Sequence, residues 1–223
     1  MLKSLTKDYW DKIWKNRPDH LRSKFGYNLV ETPKGKVLEI GCGDLSYSGL
    51  PFEAEYFCGV DISPEGLKRC KNTIKSLKGQ KYLVAASALD LPFKDNSFDE
   101  SFAFEFLHVL GRNYFKALEE MKRVTKKRIT FTLEHKDIAE LTYPLPKENL
   151  EDCTIFVHEN CNLVTFTERN VEDILRELNL EIEELKVFTN RGAAQTNVYN
   201  LEQEVFVEHP QIKSRFFIRT RKK

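Results

Sequence analysis

The stretch VLEIGCGDLSYSGLPFEAEYFCGVDIS, residues 37–63, limits what this chain can fold into more than any other. A short apolar strand, KVLEI at 36–40, runs into Gly41 and Gly43. A bridge follows, then a second strand, EYFCGVD at 55–61, which ends in the carboxylate of Asp61. The two glycines let the backbone come close to a ligand where a side chain would collide. A side chain at Gly43 is therefore expected to block a ligand while leaving the fold largely intact. Asp61, 18 residues after Gly43, can accept both hydroxyls of a ribose.

The rest of the chain continues this rhythm. Ser63 and Pro64 start a helix as N-cap and first-turn residue, and Leu67, Cys70, Ile74 and Leu77 form its apolar stripe. Strands are expected near KYLVAAS, FDESFAFEF and KRITFTLEH. Helices are expected after Asn113, with Phe115, Leu118 and Met121 on one face, and after Thr167, with Val171, Ile174, Leu175 and Leu178. Strands alternating with helices predict an α/β fold, a doubly wound and mostly parallel sheet of Rossmann-like type. After EIEELKVF the pattern changes. NVYNLEQEVFVEH and SRFFIRTR alternate as strands with no helix between them, which predicts an antiparallel edge near the C-terminus. Residues 135–163 carry no clear period and read as an insertion. An N-terminal helical segment within 1–30 places Tyr9, Trp10, Ile13 and Trp14 on one face. The 223 residues are expected to form one domain.

A formal net charge of +1 provides no global field toward nucleic acid or membranes. No apolar run reaches the roughly 20 residues of a membrane span. The charged first residues do not resemble a signal peptide, and five cysteines in a chain of this length suggest no disulfide framework, so a reducing, cytoplasmic setting is expected.

The glycines and Asp61 alone fit either a dinucleotide or an adenosyl ligand. The dinucleotide fingerprint needs a third glycine where Ser46 stands. Glu39 beside the turn repels a pyrophosphate but suits a cationic ligand. The segment SALDLPFKDNSFD, residues 87–99, follows the third strand. With VLEIGCG and GVDIS, this segment resembles the class I S-adenosylmethionine-dependent methyltransferases, strongly over residues 36–134 and weakly over 164–188.

The resemblance implies S-adenosylmethionine as cofactor and a role for each matching residue. Glu39, Gly41 and Gly43 would line its methionine end. Asp61 would bind the ribose, and Ile62 would lie against the adenine. Ser87, Ala88 and Leu89 would face the adenine edge, with Phe104 and Glu105 near the methyl group. Two departures stand out. Leu45 replaces a usual third glycine, so the bend into the following helix is expected to differ. Ser87 replaces a frequent acid.

His108 follows the fourth strand and is the candidate general base, with a loop anchor as its alternative role. Tyr9, Trp10 and Trp14 are candidates for a lid or substrate wall. Cys153, His158 and Cys161 lack a paired Cys-x-x-Cys knuckle, so no metal site is assigned. The absence of an Asn-Pro-Pro-Tyr element after strand four, where EFLH stands, disfavours amino methylation of nucleobases. A small molecule or a protein side chain remains as acceptor. A non-catalytic methyltransferase-like domain and a nicotinamide-dependent oxidoreductase are the alternatives.

Overall fold

The computed structural model describes residues 6–17, 33–45, 54–75, 79–142, 145–157, 162–189, 198–200, 205–207 and 213–222. Ser46, Leu77, His158, Cys161 and most of the segment 1–30 lie outside the described residues.

The order of elements is α1 (Lys7–Asn16), β1 (Lys36–Ile40), β2 (Tyr56–Asp61), α2 (Pro64–Ile74), β3 (Gln80–Ala85), β4 (Phe98–Ala103), a 3-10 segment (Leu107–Asn113), α3 (Tyr114–Val124) and β5 (Thr125–Glu134). Then come α4 (Lys136–Thr142), β6 (Lys147–Asn149), β7 (Thr154–Phe156), β8 (Leu163–Thr165), α5 (Glu168–Glu177), β9 (Leu180–Thr189), β10 (Val198–Asn200), β11 (Val205–Val207) and β12 (Lys213–Lys222).

The main sheet has seven strands in the order β3-β2-β1-β4-β5-β12-β9. Pairing is parallel from β3 to β5, and β12 runs antiparallel to both β5 and β9. The last strand is therefore inserted one place in from the edge, and β9 forms the edge itself. Its sequence fits that place. Phe216, Phe217 and Ile218 are fully buried, and they alternate between the two sheet faces. Of NVYNLEQEVFVEH, the described strands β10 and β11 pair with each other in a separate two-stranded sheet. The insertion is more ordered than its aperiodic sequence suggested. It contributes α4, β6 and β7, and with β8 forms a three-stranded antiparallel sheet. Cys153, Ile155, Val164 and Phe166 carry it into the larger core.

Three helix starts have a side-chain cap, whereas Asn113 precedes α3 without a side-chain capping bond. Thr6 caps α1, its side chain accepting from the Tyr9 N–H. Ser63 caps α2 in the same way through the Gly66 N–H. Thr167 and Asn170 form a reciprocal capping box on α5.

Candidate active site

The glycine turn after β1 is held in place by its neighbours. The Cys42 N–H donates to Val60 O at 3.0 Å, and the Leu45 N–H closes back on Cys42 O at 2.7 Å. Gly41, Gly43 and Leu45 all lie in the left-handed region, with φ of 67°, 49° and 61°. Leu45 thus keeps the backbone that a glycine would adopt at its position. Leu45 bears the steric cost of that backbone, and the bend expected to follow it lies outside the described residues.

Asp61 ties β2 to this turn. Its Oδ2 accepts from the Gly43 N–H at 2.9 Å and its Oδ1 from the Ser63 N–H at 2.8 Å. Burial pushes the Asp61 carboxyl upward, and the hydrogen bonds from Ser63 and Gly43 work against that shift. Each carboxylate oxygen has a second lone pair for a ligand hydroxyl.

A cleft of about 390 Å³, its mouth included, opens over these groups. Gly41, Val60, Asp61 and Ile62 form one side of it. Ala86, Ser87, Ala88 and Leu89, which follow β3, form another, and Trp10, Phe106 and Leu110 complete the wall. Ser87 Oγ accepts from the Leu89 N–H at 3.2 Å, which fixes the turn that presents these residues.

The loop that follows is fastened from behind by α3. Arg123 donates to Leu91 O at 2.9 Å, to Phe93 O at 2.7 Å and to Asp95 Oδ1 at 2.9 Å. Glu120 accepts from the Leu91 N–H at 2.8 Å and pairs with Arg123. Sequence reading missed this clamp. Its only trace is an acid and a base three residues apart on a predicted helix.

Several expected site residues lie elsewhere. Phe104 is buried in the smaller core with Phe102 and Phe217, and it does not line the cleft. Glu105 has φ of 52° and pairs with Arg215 Nε at 2.6 Å. Its N–H donates to Thr132 Oγ1 at 2.9 Å. The left-handed turn at Glu105 breaks the strand alternation, so Phe106 swings to the face opposite Phe104 and covers Gly41. A Cβ on Gly41 would fall 2.2 Å from Phe106 Cγ. Glu39 is buried beneath the turn.

His108 Nε2 stands 3.7 Å from Glu134 Oε2. Glu134 is the register partner of Arg215 across β5 and β12, so His108, Glu134, Arg215 and Glu105 form one polar group at these strand ends.

The helix α1 covers the glycine turn with a narrower face than expected. Trp14 is buried, and a Cβ on Gly43 would meet its ring at 2.3 Å. Trp10 lines the cleft with Tyr9 edge-on to it at 5.2 Å. Ile13 instead faces solvent, 42% exposed, because it lies about 100° around the helix from Trp14. The place of Gly43 corrects the expectation that a side chain there leaves the fold largely intact, since its Cβ would run into the Trp14 ring of α1.

Among the described residues, no group of three or more His, Cys, Asp or Glu side chains is placed to hold a metal ion. His135 is buried against Phe216, with its Nδ1 accepting from the Asp137 N–H at 3.1 Å. Cys42, Cys58, Cys70 and Cys153 are buried free thiols, and burial pushes Cys58 and Cys153 to about 12.

A sheet with one reversed strand, a glycine turn after β1 and an acid ending β2 define a class I methyltransferase fold. Residues 38–132 match the methyltransferase domain family. It is 32% identical over 94 residues to a fatty-acid O-methyltransferase of Mycolicibacterium smegmatis, a match covering 41% of this chain and 33% of that protein. Against three uncharacterized Methanocaldococcus jannaschii proteins, the matches span 36%, 42% and 47% of the relatives' lengths, less than half in each case. The fold is similar to that of a Methanosarcina mazei methyltransferase, with a TM-score of 0.59 and 17% identity over 86% of this chain and 93% of the other. It is also similar to the Synechocystis magnesium protoporphyrin IX methyltransferase with bound SAH, with a TM-score of 0.58 and 13% identity over 86% and 75% of the two chains. Among the described residues, no helix is long and apolar enough to cross a membrane.

Proposed function

We propose that this protein transfers a methyl group from S-adenosylmethionine to a small molecule or a protein side chain. One observation carries the reading. Asp61 is buried at the wall of the cleft, with both oxygens held by backbone N–H groups and a lone pair of each left for ligand hydroxyls. That arrangement fits a ribose.

The apolar side chains of Ile62, Ala88 and Leu89 suit an adenine between them. Trp10 offers an aromatic face, to which a sulfonium is attracted as an ammonium would be. When bound, the cofactor supplies a methyl group on an already activated leaving sulfur. This chain's own residues therefore need to bind, align and exclude water. Glu39 and the glycine turn are assigned to the methionine end, and Phe106 is assigned to cover it.

The acceptor is assigned to the polar group at the ends of β4, β5 and β12. His108 beside Glu134 serves as its base or as the anchor of the 3-10 segment. The insertion, which pairs with β8 where that strand packs on the 3-10 segment, and α1 form the acceptor side.

Calorimetric titration with S-adenosylmethionine, S-adenosylhomocysteine and NAD tests the reading. Saturable binding of the two adenosyl ligands without NAD supports it. Binding of NAD alone, or of none, overturns it.

A further inference from the structure

The start of α2 receives a side chain from far away in sequence. Asp11 on α1 places Oδ1 2.6 Å from Ser63 Oγ and 3.1 Å from the Glu65 N. Ser63 Oγ itself accepts from the Gly66 N–H at 3.2 Å, so its single proton is committed to Asp11. The donors of the first helical turn are then all accounted for. Pro64 has none, Glu65 donates to Asp11, Gly66 donates to the Ser63 hydroxyl, and Leu67 donates to Ser63 O. The Ser63 N–H holds Asp61 Oδ1. Ser63 is fully buried, and it stands between two carboxylates, one from α1 and one from the cleft.

We infer that Asp11 is a positioning residue for the adenosyl end of the cleft. It does not line the cleft. It fixes Ser63, and Ser63 sets the carboxylate of Asp61, so α1 in its docked position and the ribose acceptor in its working orientation are one state. The same helix brings Trp10 to the cleft and seats Trp14 on Gly43 and Gly66, where added Cβ atoms would approach the ring to 2.3 Å and 3.0 Å. The inference rests on the cleft being an adenosyl site.

The test is calorimetric titration of the full chain with S-adenosylhomocysteine. Asp11→Ala is expected to weaken binding about tenfold, in the range for loss of a charge-assisted hydrogen bond. Asp11→Asn keeps an acceptor oxygen and is expected to stay within about threefold of wild type. Lys7→Ala removes the Lys7 pair with the other Asp11 oxygen and is expected to change nothing. Ser63→Ala breaks the link from its other end, and it remains informative if Asp11→Ala does not fold. In the double variant, the loss should be no greater than that of the more affected single variant, because both act through one chain of bonds. Normal affinity in Asp11→Ala or in Ser63→Ala, or additive losses in the double variant, would overturn the inference. Failure of the wild-type protein to bind S-adenosylhomocysteine would instead remove the functional reading beneath it.

Discussion

The Gly43 N–H donates to Asp61 Oδ2 at 2.9 Å, which joins the turn after β1 to the end of β2. The two motifs that the sequence presents 18 residues apart are thus one object. The acid holds the turn, and the Gly43 N–H works against the upward push that burial gives the carboxyl.

Leu45 provides a test of that turn. Its side chain is 4% exposed and its φ is 61°. Leu45→Ala loses the buried side chain and keeps the strain, at a cost of about 2–4 kcal/mol. Leu45→Gly loses the same side chain but relieves about 1 kcal/mol of left-handed strain. Urea denaturation should therefore find Leu45→Gly more stable than Leu45→Ala, the reverse of the order in ordinary backbone. The usual order would show that the left-handed conformation is not adopted.

Gly43→Val should unseat α1. A β-branched residue at φ of 49° is strained, and its Cβ would enter the Trp14 ring. A loss of about 2–4 kcal/mol is expected, with a red shift in emission, since Trp10 and Trp14 are the only tryptophans. Wild-type stability with unshifted emission would contradict the packing of Trp14.

Arg123→Ala should release the loop over 91–96 without unfolding the sheet. Three loop acceptors lose their donor at once. Hydrogen exchange should rise at Leu91, whose N–H depends on the oriented Glu120, and at Asn96, whose N–H donates to Arg123 O. Unchanged exchange at both amides would show that the loop holds itself.

Asp11 should make stability depend on acid pH. Desolvation alone would raise its carboxyl, but bonds from Lys7, Ser63 and the Glu65 N–H hold it at about 2, against 3.8 ordinarily. A carboxyl lower in the folded than in the unfolded state stabilises the fold above the ordinary value. It loses that contribution as pH falls from 3.8 toward 2. Urea midpoints should fall more steeply in this window for wild type than for Asp11→Asn. Parallel curves would contradict the bonding of Asp11.

What the sequence made legible was local. Alternating strands, capped helices, the glycine turn and Asp61 depend on neighbours in the chain, so their patterns are printed there. The place of β12 depends on pairing Phe217 with Thr132 and Lys186, contacts that no local pattern records. FAFEF reads as a continuous strand, with Phe104 and Phe106 on one face. The left-handed Glu105 separates them, placing one in the core and the other on Gly41. Asp11 carries no local signal, because its partners lie 52 and 54 residues away.

The central claim is that the cleft holds an adenosyl ligand with its ribose on Asp61. Its most direct test is titration of wild type and Asp61→Ala with S-adenosylhomocysteine. The account predicts saturable binding by wild type and a loss of at least about tenfold in the variant, from up to two charge-assisted hydrogen bonds of about 1.5–3 kcal/mol each. Equal affinity in the two proteins would contradict it.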